Sequence, residues 1–168
     1  MLRWCWFGLL EMLLEHDYSN HCESRNTMAG YSGTPLLKKL GITPESVVGV
    51  IGTCPADIEI ASTKRATHQF DVLVSFVTTE AEMVDGLRTW GDNITPSGGL
   101  WICWPKKTAR KKPEFAHVDM TEDSIREHAL PLGLVDNKVC AVNDDWSGLR
   151  LVWRRELRDA RAKLARPE

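Results

Sequence analysis

Two apolar runs near the C-terminus, residues 135–143 and 149–154, are separated only by Asp144-Asp145-Trp146-Ser147-Gly148. That gap suits a hairpin, whereas a parallel crossover needs a dozen or more residues. Upstream, three apolar β-branched runs at 46–51, 71–77 and 98–104 read as buried strands. A shorter candidate, "IEIAS", lies at 58–62, and a Pro96-Ser97-Gly98-Gly99 turn leads into the 98–104 strand. Helical punctuation falls between the strands. Thr34, Pro35 and Gly41 bracket a short helix as N-cap, first position and stop. Thr79 and Glu82 form a capping box ahead of Met83, Val84, Leu87 and Trp90, with Gly91 as the end. Thr121 caps a helix with Glu122 and Asp123 in its first turn, an inner face of Ile125, His128 and Ala129, and Pro131 as its stop. Strands alternating with helices predict an open, mostly parallel α/β sheet with helices on both faces and an antiparallel C-terminal hairpin strand.

The chain of 168 residues is one ordinary domain in length, and 43% hydrophobic with 26% charged residues is globular composition. The net charge of −2 gives no global pull toward nucleic acid or membrane. Residues 1–27 read as an N-terminal extension outside the fold, 28–156 as the α/β domain and 157–168 as a charged, helical tail. The apolar stretch from Trp4 to Leu14 is too short to span a bilayer, and Met28 reads as the natural start. The five cysteines, Cys5, Cys22, Cys54, Cys103 and Cys140, are odd in number and contain no C-x-x-C pair. This points to a reducing, cytoplasmic setting without a disulfide scaffold or zinc site. His16, His21 and Cys22 are the nearest thing to a ligand group and read as a polar tail.

No catalytic constellation stands out: G-x-S-x-G, P-loop and H-E-x-x-H patterns are absent. Two sets of binding candidates remain. In an open α/β sheet ligands sit beyond the carboxyl ends of the strands. That places Gly52, Thr53, Thr78, Thr79 and Lys106 at a crevice. The loop Lys106, Lys107, Arg110, Lys111 and Lys112 is a candidate phosphate or RNA contact, although no aromatic side chain alternates with its charges. Cys54 with His68 is the one conceivable nucleophile pair, Trp101 and Trp104 read as packing of a buried central strand with a crevice wall the alternative for Trp104, and Asp144, Asp145 and Ser147 read as turn residues.

The segment "LRTWGDNITPSGGLWICWPK" resembles the helix and turn leading into the fifth strand of class I S-adenosylmethionine methyltransferases. The phrases "MAGYSGTPLLKKLGI", "GGLWICWPKK", "LPLGLVDNKVCAV" and "DDWSGLRLVWRRE" resemble an uncharacterised bacterial family, catalogued as domain of unknown function 3052. The resemblance implies a Rossmann-like, methyltransferase-like fold and a cytoplasmic home, and carries over no activity. S-adenosylmethionine enters as a cofactor by this analogy alone. Methyltransferases cradle it on a glycine-rich turn after the first strand and hold its ribose with an acid after the second. Here that turn reads Val50-Ile51-Gly52-Thr53-Cys54-Pro55, without a G-x-G. Only 19 residues separate Ile51 from Asp71, too few for the intervening units. The first half of the fold is therefore shortened, with Glu59 the one acid near a second strand. The reading that follows is a non-catalytic or regulatory binding module. A crevice enzyme that binds S-adenosylmethionine or a nucleotide, and an RNA-binding protein acting through 106–112, are the alternatives.

Overall fold

The computed structural model describes residues 33–63 and 69–164. Met28, residues 1–27, Gly30, Ser32 and His68 lie outside them, and with them the readings made of the leader, the His16–His21–Cys22 group and the Cys54–His68 pair. The strands are β1 (Val48–Ile51), β2 (Phe70–Phe76), β3 (Ile94–Pro105), β4 (Leu134–Ala141) and β5 (Trp146–Trp153). The helices are α1 (Leu36–Leu40), α2 (Glu80–Trp90), α3 (Glu122–Ala129) and α4 (Arg155–Leu164). The strands form one sheet in the order β1-β2-β3-β5-β4. β1, β2 and β3 run parallel, and β5 is inserted antiparallel between β3 and β4. The predicted α/β sheet with its reversed last strand is thus the observed fold, and its first half is short as expected.

Alternation along the strands sends side chains to two cores. Leu73, Leu100, Ile102, Leu149, Leu151 and Trp153 pack with Met83 and Leu87 of α2 and Ile125 and Ala129 of α3. Val72, Val74, Phe76, Trp101, Cys103 and Trp146 pack on the other face with Leu36 and Leu40 of α1. Trp101 and Trp104, three residues apart, therefore face opposite cores, and both are buried. Trp104 is a packing residue, outside the lining of the cleft described below.

The local punctuation holds in part. Thr79 accepts from the Glu82 amide at 3.2 Å, and Glu82 answers the Thr79 amide at 3.2 Å. Thr121 forms the same box with Ser124. α1 is different: its N-cap is Pro35 rather than Thr34, and Pro35 offers no side-chain cap. Gly41 ends that helix in the left-handed region, φ 77°.

Four further expectations are corrected. Residues 58–62 form no strand. Ile58 and Ile60 are buried in the α1-side core, and Thr63 supplies the bonds to β1, its amide donating to the Val48 carbonyl and its hydroxyl accepting from the Val48 amide, each at 2.8 Å. The segment thus plugs the core while one residue satisfies the strand edge, and no ladder is needed. Pro96-Ser97-Gly98-Gly99 is no entry turn, because β3 already starts at Ile94. The register with β2 jumps from Phe70↔Ile94 to Val72↔Gly99, so the extra residues bulge inside the strand. The hairpin is also tighter than expected, since Trp146, Ser147 and Gly148 belong to β5 and pair with β3 and β4. His128, finally, is no core histidine. Its side chain is 35% exposed and its Nε2 lies 2.9 Å from Glu80 Oε1, which ties α3 to α2.

The short connection between parallel β1 and β2 has a backbone cause. Gly52 follows β1 at φ 76°, and a Cβ there would collide with the carbonyl oxygen of Phe76 at the end of β2. Only glycine allows the chain to leave β1 that close to its neighbour.

Candidate functional site

A cleft of about 600 Å³ opens at the carboxyl ends of β1 and β2. Ile51, Gly52 and Thr53 come from the end of β1, and Ser75, Phe76, Val77 and Thr78 from the end of β2. One face of α2 supplies Glu82, Asp85, Gly86, Thr89 and Trp90, the three-and-four spacing of a helix side. Phe115 and Trp146 complete the wall. Trp146 is held by edge-to-face contacts with Phe76 at 5.4 Å and Phe115 at 5.6 Å, so the aromatic wall is rigid.

Of the expected crevice residues, Gly52, Thr53 and Thr78 come together here. Thr79 and Lys106 are not in the lining. Lys106 turns to the hairpin, its Nζ donating to the Asn143 carbonyl at 2.6 Å and the Asp144 carbonyl at 3.2 Å. Sequence reasoning missed Glu82, Asp85, Thr89 and Trp90 as wall residues. Their spacing on α2 was visible, but the helix was read for its apolar face, and nothing local marks the side of α2 that lines the cleft.

The electrostatics of the cleft are one-sided. Among the described residues its lining holds two carboxylates, Glu82 and Asp85, and no lysine, arginine, histidine or cysteine. Glu82 Oε2 accepts the Thr78 amide at 2.7 Å, the Thr78 hydroxyl at 3.2 Å and the Thr79 amide at 3.2 Å. The Thr78 amide, with further donors beside it, holds this carboxyl below its ordinary value of 4.5. The amides ahead of α2, an ordinary seat for an anion, are therefore already taken by the protein's own carboxylate. Because the folded group is the stronger acid, its contribution to stability is full above about pH 4.5 and is lost as pH falls through the lower folded value. Glu82→Gln is expected to flatten the acid limb of a plot of thermal midpoint against pH between 3 and 6. An unchanged limb would mean that the carboxylate contributes nothing there.

The basic loop is largely engaged within the molecule. Lys112 Nζ pairs with Asp145 Oδ2 at 2.5 Å, and Arg110 Nη2 donates to the Met120 carbonyl. With Lys106 these clamp the loop to the hairpin and to residue 120, leaving Lys107 and Lys111 exposed. None of the described thiols is in the lining, although Cys54 falls between the lining residues Thr53 and Pro55. Cys103 and Cys140 lie on the α1 side, where burial pushes both above their ordinary value and keeps them protonated. Cys54 Sγ faces the Ile58 carbonyl at 3.4 Å. Among the described residues no cluster of His, Cys, Asp and Glu suits a metal ion, and no helix is long and apolar enough to cross a membrane.

No protein-family profile and no curated protein sequence matches the chain. Solved structures do. A methyltransferase from Pyrococcus furiosus aligns at 20% identity and a TM-score of 0.35, over 49% of this chain and 40% of that one. A TehB-like SAM-dependent methyltransferase from Corynebacterium glutamicum aligns at 12% and 0.37, over 53% and 50%. The N-methyltransferase NodS from Bradyrhizobium japonicum aligns at 15% and 0.36, over 53% of each chain. The chain thus spans about half the length of these structures or less.

Proposed function

We propose that the protein is a non-catalytic, regulatory binding module on a shortened methyltransferase-like scaffold, and that its ligand is a small molecule carrying a positive charge and a flat ring. One observation carries this: the strand-end cleft is open, has an aromatic wall and, among the described residues, is lined by carboxylates without a compensating cation. Glu82 and Asp85 are exposed on the α2 side of the cleft, where their charge favours a cationic partner and a nucleotide phosphate would meet like charge. Among the described residues the lining offers no thiol or imidazole as nucleophile or base, and Glu82 is occupied in its capping box. Membership in domain of unknown function 3052 and a cytoplasmic home belong to the same proposal and rest on the sequence phrases.

S-adenosylmethionine is one ligand of this chemistry. Its positive charge suits Asp85, and its adenine suits the aromatic wall. The β1 exit lacks the G-x-G turn, and beside Val48 lies Thr63 rather than a second strand with an acid for the ribose. These features support binding in a mode set by the α2 wall. The open cleft also favours, as a second reading, an enzyme that uses the cofactor's methyl group. The loop at 106–112 supports the RNA reading less, because three of its cations serve the fold.

Thermal shift of the full chain separates these readings. S-adenosylmethionine at a hundred times its Kd should stabilise by about 2.7 kcal/mol, and its uncharged-sulfur product should stabilise less. Asp85→Asn is expected to weaken the charged ligand about tenfold and narrow its advantage, with the unliganded midpoint unchanged. A larger shift with ATP than with either adenosyl ligand would reject the cationic-ligand reading. Methyl transfer accompanying the shift would favour the enzyme.

A further inference from the structure

Ser75 is a polar exception in an apolar row on the floor of the strand-end cleft. On β2, Leu73 and Val77 point to the α2-side core and Val72, Val74 and Phe76 to the other, so alternation sends Ser75 toward α2. Its register partners are Ile51 on β1 and Ile102 on β3, both packed with that same core. Ser75 is 1% exposed and lines the cleft. Among the described residues its hydroxyl makes no hydrogen bond. The partnerless side-chain atoms that are sealed from solvent belong to Arg110, Trp153 and Arg158. The Ser75 oxygen is not one of them, and what it opens on is the cleft. A hydroxyl this deep without a partner is costly, and buried polar groups are ordinarily answered by another group.

The residue facing it is Gly86. It lies inside α2, where glycine is a poorer helix former than alanine. Its φ is not in the left-handed region, so the backbone does not call for glycine. Packing does not call for it either. A Cβ at Gly86 would meet a single neighbour within 4 Å, the Ser75 hydroxyl oxygen at 3.6 Å, which is an ordinary contact distance. What the missing methyl group does is leave that hydroxyl uncovered.

We propose that Ser75 is the hydrogen-bonding anchor of the cleft floor, kept open by Gly86, and that it selects a ligand whose flat ring carries a nitrogen or oxygen acceptor on its inward edge. This rests on the reading of the cleft as a site for a cationic, ring-bearing ligand and adds the orientation. Asp85, next to Gly86 and exposed, meets the charge at the rim. The ring enters between β2 and α2 with its acceptor toward Ser75. Between Ile51 and Ile102 the hydroxyl donates in an apolar setting, where a hydrogen bond is stronger than in water. A ring edge without an acceptor leaves the hydroxyl unpaired, and that is the source of the discrimination.

The test is NMR titration of the labelled full chain with benzylamine and with its ring-nitrogen analogues, the ortho, meta and para isomers of (aminomethyl)pyridine. All are cations with one flat ring, and only the pyridines carry a ring acceptor. At least one isomer should bind the parent about fivefold more tightly than benzylamine, the effect of one added hydrogen bond. Ser75→Ala should bring that ratio to within about twofold of one, and so should Gly86→Ala, whose methyl group covers the hydroxyl. Misfolding does not explain such a loss if Gly86→Ala raises the unliganded thermal midpoint, as expected, by about 3 °C. A lower midpoint in Gly86→Ala would show that packing needs the glycine and would overturn its assigned role. A preference for a pyridine that survives in Ser75→Ala would overturn the anchor. Benzylamine binding with no pyridine preferred would overturn this proposal and leave the cationic-ligand cleft standing, whereas binding of none of the four would overturn both.

Discussion

Gly52→Ala is expected to cost at least about 3 kcal/mol, and Gly41→Ala only about 1 kcal/mol, although the two glycines share a left-handed φ of 76° and 77°. The difference is what a methyl group would meet. At Gly41 there is nothing within 4 Å, so the cost is the strain of the backbone alone. At Gly52 the methyl strikes the Phe76 carbonyl, a backbone atom fixed at the end of a buried parallel strand. Relief requires the β1 and β2 ends to separate, and these two ends form the base of the cleft. Against a total stability of roughly 5–15 kcal/mol, that is a large fraction. Urea unfolding of the two variants beside the parent checks it. Equal costs at both positions would show that the close approach of Gly52 to β2 is not real.

Trp101→Ala is the second large effect. Trp101 is fully buried at the centre of β3, and its Nε1 donates to the Leu40 carbonyl at 3.0 Å, tying the sheet to the C-terminal end of α1. Loss of a buried tryptophan side chain costs about 3–5 kcal/mol, including the cavity left behind. For a domain of this size that is roughly 10–15 °C in the thermal midpoint. Trp101→Phe keeps most of the volume and loses the hydrogen bond, so it should fall near 1–2 kcal/mol. The pair separates packing from tethering. A Trp101→Ala midpoint within about 3 °C of the parent's would mean that the α1 side of the sheet is not a packed core.

Much of the architecture is legible because its signals are local. Thr79 with Glu82, and Thr121 with its acidic first turn, mark helix starts through bonds made within three residues. The apolar runs that become β1, β2 and β3 are buried on both faces, so their composition gives them away. The errors fall where distant partners decide. "IEIAS" has strand composition, but its isoleucines are called into a core and Thr63 takes its place on the β1 edge. Trp146 reads as a turn residue beside two aspartates, yet pairs with Pro105 and becomes part of the cleft wall. Lys106 sits at the strand end where ligands bind, but the hairpin carbonyls of residues 143 and 144 claim it. The carboxylates of the cleft were hidden for a related reason. Glu82 announces itself as a cap, and nothing in the sequence says that the side of α2 bearing Asp85 and Thr89 faces a cavity.

The central claim is that the strand-end cleft takes a cationic, ring-bearing ligand. Its most direct test is NMR titration of the isotopically labelled full chain with small aromatic fragments, matched in shape and supplied as cationic and anionic pairs. The account predicts that cationic members perturb the amides of Thr53, Thr78, Asp85 and Thr89 and the indole of Trp90, and that their anionic twins leave these signals in place. Perturbation of those signals by the anionic members instead, or no cation-dependent change at any of them, would contradict it.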